Sequence, residues 1–299
     1  MSSFFDEIAR NKIKSFILMF IFMLFFGAII YFVVWAFGGG IIGLTIGVAF
    51  ILFYAAFTYF YGDKITLKIS GAKPADKKQY HQLYSIVEGL SSATQVPMPK
   101  VYIVNDPNPN AFATGRNKKI SAIAVTSGLL SIMDKRELEG VIAHEMSHIS
   151  NNDVQFMMIA IVFAGAIGLI AAVLRMSLFF GGFRRAEGEA GLILLIVAIV
   201  VGVLAPIFAL LLRLAISRKR EYMADANGAR LTRDPQGLAN ALTKIKNYTT
   251  QPNAQGVKAA NEVNGSMYFA NPFKGKSIIN IFSTHPPIDE RINRLNKMY

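Results

Sequence analysis

The residues best suited to chemistry are His144-Glu145-Met146-Ser147-His148, where two of the chain's four histidines stand four positions apart. On a helix that spacing places both imidazoles on one face. Glu145 then stands beside the first histidine, able to reach a water near their common point without occupying it. Such a pair suits a divalent cation of the zinc type, with the carboxylate moving a proton. Two imidazoles leave a catalytic ion one protein ligand short. With no cysteine among the 299 residues, and His81 and His285 the only other histidines, a carboxylate is a strong candidate for the third ligand. Glu221 and Asp225, in KREYMADANGA, stand four apart on a predicted helix and face the same way.

The elements that must bring these residues together are apolar. The composition is 53% hydrophobic and only 17% charged, and the excess concentrates in four blocks, at 16–37, 41–61, 156–174 and 190–212. Each is near the ~20 residues a helix needs to cross a bilayer. The first block has no small-residue cleavage site after it, and the second follows at once through Gly38-Gly39-Gly40, so it reads as a retained span. The net charge of +12 is not gathered into one stripe that would suit nucleic acid. It flanks the blocks instead, with Arg10, Lys12 and Lys14 before the first hairpin, Lys64 and Lys68 after it, and Arg218, Lys219 and Arg220 after the second. That placement predicts a cytoplasmic N-terminus, a cytoplasmic 62–153 segment and a cytoplasmic tail. The division expected is a hairpin at 1–61, a catalytic part at 62–153, a second hairpin at 154–212 and a second catalytic part at 213–299. Two antiparallel spans would return the chain to the same membrane face, bringing Glu221 beside His148. Without cysteine, disulfides, thiolate catalysis and thiolate ligands are all excluded.

Between the hairpins, Tyr80, Leu83, Tyr84, Val87 and Leu90 recur with helical period. Pro97 and Pro99 end that helix, and KVYIV at 100–104 reads as a strand. AFATG and KKISAIAVTSG read as further strands, one of them an edge. The HEMSH helix opens near Asp134, with Glu137 completing a capping box. Small residues at Ala111, Ala113 and Gly115 would let a polypeptide approach and pair through its backbone. Pro286-Pro287 opens a last helix carrying Ile288, Ile292 and Leu295.

Taken jointly, the two hairpins, NAFATG at 110–115, AHEMSH at 143–148, EYMAD at 221–225 and STHPPIDER at 283–291 resemble the HtpX family. These are membrane zinc metalloproteases grouped with the Ste24-type CAAX prenyl proteases, and the resemblance covers essentially the whole chain. It implies one zinc ion per chain, held by His144, His148 and Glu221, with Glu145 as catalytic base and Asp225 orienting a ligand histidine. It also implies His285 and Arg291 as donors facing the scissile carbonyl, and Asn110, Ala111, Phe112, Ala113, Thr114 and Gly115 as a substrate-binding edge. The expected fold is membrane α-helical with an α+β catalytic part, that is, four transmembrane helices and a cytoplasmic zincin-like metalloprotease domain. The expected setting is the bacterial cytoplasmic membrane, multi-pass, with the lipid bilayer and membrane or misfolded polypeptides as partners in protein quality control. A CAAX-type prenyl protease and a non-catalytic scaffold with a structural metal site are the alternatives.

Overall fold

The computed structural model describes residues 40–155, 157–158, 218–251, 256–257, 268–270 and 286–298, with isolated positions between 13 and 31 and at 192 and 196. The apolar blocks at 16–37, 156–174 and 190–212 therefore lie almost wholly outside the described residues, as does His285. The second block lies inside. It forms helix α1 (Gly40–Ile69), whose 30 residues make it long and apolar enough to cross a membrane. Its side chains stand out from the protein, Ile41 being 75% and Phe53 66% exposed, as expected of a surface meant for lipid. The helix does not stop where the apolar run ends at residue 61. It continues through Asp63, Lys64 and Lys68, and its last turns join the globular part, where Leu67 is buried with Phe112 and Tyr268.

Four strands follow: β1 (Ala72–Pro74), β2 (Lys100–Val104), β3 (Ala111–Asn117) and β4 (Ile120–Thr126). They form one sheet in the order β1-β2-β4-β3, with β2 and β4 parallel and β3 antiparallel to β4 at the edge. Lys-Val-Tyr-Ile-Val and Ile-Ser-Ala-Ile-Ala-Val-Thr are rich in β-branched residues, which pack well on a pleated surface. The β3–β4 hairpin closes tightly because Gly115 has φ +146 and lies against β4, where a Cβ would stand 2.3 Å from the Ile120 carbonyl.

Helix α2 (His81–Thr94) buries Leu83, Ile86, Val87 and Leu90 on one face of the sheet. The short α3 (Ser127–Ile132) leads to α4 (Lys135–Ser150), the helix that carries HEMSH. Asp134 caps α4 by accepting from the Glu137 N–H at 2.9 Å, and Glu137 returns the bond by accepting from the Asp134 N–H at 2.8 Å. This reciprocal box satisfies two amides that the helix itself cannot. Helices α5 (Arg218–Thr232) and α6 (Pro235–Thr249) pack against α4, and α7 (Ile288–Leu295) closes over α5 and α6. The main core lies between α2, α4 and α6 and the sheet face bearing Ala111, Ala113, Ile123 and Val125.

Candidate metal centre and active site

The site is built where α4 crosses α5. Gly228 makes the crossing close: a Cβ there would lie 3.1 Å from the His144 nitrogen and 3.4 Å from its Cα. The close approach sets Glu221 and Asp225, on one face of α5, opposite His144 and His148 on α4. The two Nε2 atoms stand 3.1 Å apart. Glu221 reaches both, Oε2 at 3.8 Å from His144 Nε2 and Oε1 at 3.5 Å from His148 Nε2. A tetrahedral ion with bonds of about 2.0–2.1 Å has its ligands about 3.3 Å apart, so the three donors are spaced to share one cation. These three residues are the metal-binding group found among the described residues.

The outward nitrogens support that reading. His144 Nδ1 lies 2.9 Å from Asp225 Oδ1, and His148 Nδ1 lies 3.1 Å from Asp153 Oδ2. An ionised carboxylate only accepts, so each Nδ1 donates, and each Nε2 once deprotonated offers its lone pair inward, the orientation ligand histidines take. Glu145, Asp153, Glu221 and Asp225 are all at most 3% exposed; the Arg291 guanidinium, 1% exposed, lies among them, and the Arg220 guanidinium stands 3.8 Å from Asp153. Two imidazoles and one carboxylate, with a position left open, fit zinc.

Each group's protonation follows from its neighbours. Burial pushes Glu145 up to about 7, with the Glu221 charge adding to the rise while His148 and the Ala113 amide oppose it. Burial also pushes His144 down to about 4 against the pull of Asp225. His148 goes the other way: burial disfavours its cation, but Asp153 and Glu221 outweigh burial and raise it to about 9. For Asp225, burial is overcome by Arg291 and His144, which hold its carboxyl below the usual range.

Asp153 takes a part the sequence does not suggest. The chain leaves α4 through Asn151, and Asn152 adopts a left-handed φ of 60, which turns the chain so that Asp153 faces back to His148. Five residues beyond the histidine and outside the helix, it has no periodicity to reveal it. Arg291 also takes a particular place. Its Nε donates to Asp225 Oδ2 at 2.9 Å, its Nη2 to Asp225 Oδ1 at 2.7 Å, and its Nη1 to the Phe269 carbonyl at 2.8 Å. The Phe269 ring stands edge-on to His144, 4.9 Å between centroids, with the Arg291 guanidinium 4.7 Å from the ring centre. Of the residues expected at a substrate edge, Ala111 to Gly115 lie in β3, and the Ala113 N–H donates to the Glu145 carboxylate. Asn110 just precedes the strand and holds Ala270, donating to its carbonyl at 2.9 Å and accepting from its N–H at 3.2 Å.

Residues 77–299 match peptidase family M48. The protein named Protease HtpX homolog from Caldanaerobacter subterraneus subsp. tengcongensis is 45% identical over 294 residues, covering 97% of this chain and 96% of that one. Its namesake in Dictyoglomus thermophilum is 44% identical over 296 residues, covering 99% and 95%. One from Streptococcus thermophilus is 42% identical over 306 residues, covering 98% and 99%. Among solved structures, the crystal structure of S. mikatae Ste24p superposes with a TM-score of 0.51 at 18% identity, covering 95% of this chain and 67% of that one, a likeness of fold. The chain belongs to peptidase family M48. It is a membrane-associated metalloprotease with an α+β catalytic region.

Proposed function

We propose that the protein is a zinc endopeptidase that cuts internal peptide bonds of membrane or misfolded polypeptides. His144, His148 and Glu221 hold the metal, and Glu145 is the base. The observation that carries this is the convergence of two Nε2 atoms and one carboxylate, each imidazole held by its own carboxylate, beside a glutamate left unligated. A zinc ion in that place supplies a Lewis acid for the peptide carbonyl and for the attacking water. Glu145 takes the water's proton as the water oxygen adds to the carbonyl carbon. It then delivers that proton to the amine nitrogen as the C–N bond breaks, leaving a carboxylic acid and an amine, between which the acid's proton then passes to give carboxylate and ammonium.

Arg291 acts through Asp225, because its Nε, Nη1 and Nη2 are all engaged by Asp225 and Phe269. Oxyanion stabilisation by a chain donor falls to His285, a role that the family resemblance supports. The same reading gives four spans, at 16–37, 41–61, 156–174 and 190–212, with both termini and the site on the cytoplasmic side, and a role in membrane-protein quality control. Flanking Lys and Arg support that orientation.

The test is to purify the protein in detergent under chelator, restore zinc, and compare peptide cleavage with bound metal for wild type and Glu145→Gln. The variant is expected to bind one zinc and lose turnover by about 10²–10⁴-fold. Undiminished cleavage by zinc-loaded Glu145→Gln would remove Glu145 from its role.

A further inference from the structure

The apolar run of α1, 41–61, has the depth of a bilayer: it is about 31 Å long at 1.5 Å per residue, close to the thickness of the hydrocarbon core. It closes on Tyr59, Phe60 and Tyr61, and aromatic residues in that position mark a membrane–water boundary. Lys64, on the next turn, lies 5.2 Å from the Tyr61 ring centre.

Strand β3 runs back along this helix toward the boundary. Its start is on the far side, where Phe112 is buried with Leu67. Its end is at the boundary itself. Arg116 donates to the Phe60 carbonyl at 3.2 Å, and its guanidinium is 4.9 Å from the Phe60 ring centre and 5.9 Å from that of Tyr59. From Leu67 to Phe60 the helix covers about 10 Å, and from Phe112 to Arg116 the strand covers about 13 Å, so the two descend together. The turn that follows, Asn117 to Ile120, therefore stands in the headgroup layer, which is about 5–7 Å thick on each side.

The chemistry of the turn suits that layer. Asn117 Oδ1 accepts from the N–H groups of Lys119 and Ile120, both at 2.9 Å, so these amides are satisfied without water. Lys119 is exposed, and beside it Ile120 is 38% exposed. Among the described residues none gives Arg116, Lys118 or Lys119 a carboxylate partner, and burial, with no anion to offset it, lowers the Lys118 pKa. Three cations around one aliphatic side chain match phosphates lying over hydrocarbon.

We propose that the β3–β4 turn is a second membrane contact beside α1, in which Arg116, Lys118 and Lys119 bind the phosphates of anionic phospholipids and Ile120 enters the upper hydrocarbon. This rests on α1 crossing the bilayer. The Ala113 N–H on the same strand donates to the Glu145 carboxylate, so a strand held by both α1 and the headgroups fixes the height of Glu145 above the membrane.

The chain has no cysteine, so Ile120→Cys takes a nitroxide label at a single place. Full-length protein is placed in phosphatidylcholine nanodiscs with or without phosphatidylglycerol. Relaxation of the label is read with oxygen, which enters lipid, and with a nickel chelate, which stays in water. Phe53→Cys in the apolar run and Ser85→Cys at an exposed position of α2 give the lipid and water limits, and circular dichroism checks that each variant keeps its helices. With phosphatidylglycerol, nickel should reach position 120 about tenfold less than position 85, while oxygen reaches it freely. Withdrawing phosphatidylglycerol, or adding Lys118→Gln and Lys119→Gln, should raise nickel access by about threefold or more, since each cation contributes about fivefold to occupancy of an anionic surface. Nickel access at 120 equal to that at 85 in both lipids would put the turn clear of the membrane. Exclusion of both reagents would show that protein covers it. Nickel exclusion indifferent to lipid charge and to the lysine substitutions would show that phosphates do not hold it. Each overturns the proposal, as does nickel access at position 53, which alone would also remove the span.

Discussion

Asp225→Asn keeps the side chain's shape but removes the charge on which three donors converge, His144 Nδ1 at 2.9 Å, Arg291 Nε at 2.9 Å and Arg291 Nη2 at 2.7 Å. Whichever way the amide turns, its NH2 group faces a donor. Arg291 is 1% exposed and has Glu221 Oε2 at 3.9 Å as its next carboxylate. Breaking a buried pair by removing one partner costs about 3–5 kcal/mol. The guanidinium would also lean toward Glu221 and compete for the metal ligand, so zinc affinity should fall 10–100-fold, about 1.4–2.7 kcal/mol. Asp153→Asn is the internal comparison. Asp153 meets His148 at 3.1 Å, but its guanidinium contact, from Arg220, is longer at 3.8 Å. Zinc affinity should fall in the same range, while stability falls by only about 1–3 kcal/mol. Denaturant unfolding of the metal-free protein in detergent measures the first quantity, and zinc titration against a chromophoric chelator the second. Equal destabilisation by the two variants, or Asp225→Asn within 1 kcal/mol of wild type, would refute the role assigned to the Asp225–Arg291 pair.

The ionisation of the histidines predicts a proton count. In metal-free protein His148 is raised to about 9 and His144 lowered to about 4, so at pH 8 His148 carries a proton that zinc must displace. Affinity should rise about tenfold per pH unit up to about 9 and level off above it, with about one proton released per zinc at pH 8. Calorimetry in buffers of different ionisation enthalpy reads this number, and heats independent of buffer would contradict it. At Gly228 a methyl group meets His144 at 3.1 Å. Gly228→Ala should be near neutral, because the helix gains up to about 1 kcal/mol from the exchange. Gly228→Val should cost about 1–3 kcal/mol and weaken zinc binding by separating α4 from α5, which the same unfolding and titration measurements would show.

Much of this molecule is written locally. The capping box at Asp134 and Glu137, the KVYIV strand and the helix after Pro287 appear where their residues predict them, because caps, alternation and proline geometry act over a few neighbours. The spacing of His144 and His148 needs only the helix to place both imidazoles on one face. The Tyr268–Ala270 contact with β3 could not be read this way. Asn110 and Ala270 are 160 residues apart, and nothing in either stretch names the other. The role of Asp153 was hidden because one left-handed residue, Asn152, decides where it points. Arg291 is conspicuous as a cation in STHPPIDER, yet its partner was settled by how α7 seats on α5.

The sequence by itself determined the helix with both imidazoles on one face, the candidates for a third ligand, the lack of any thiolate and the apolar runs long enough to cross a membrane. Those properties reside in residue type and short-range spacing. The tertiary structure decided which carboxylate faces which imidazole, that Arg291 is spent on Asp225 and Phe269, and that Tyr268 and Phe269 lie against the start of β3. These depend on the close crossing at Gly228 and on pairings between distant segments, where shifts of an ångström exchange one hydrogen-bond partner for another.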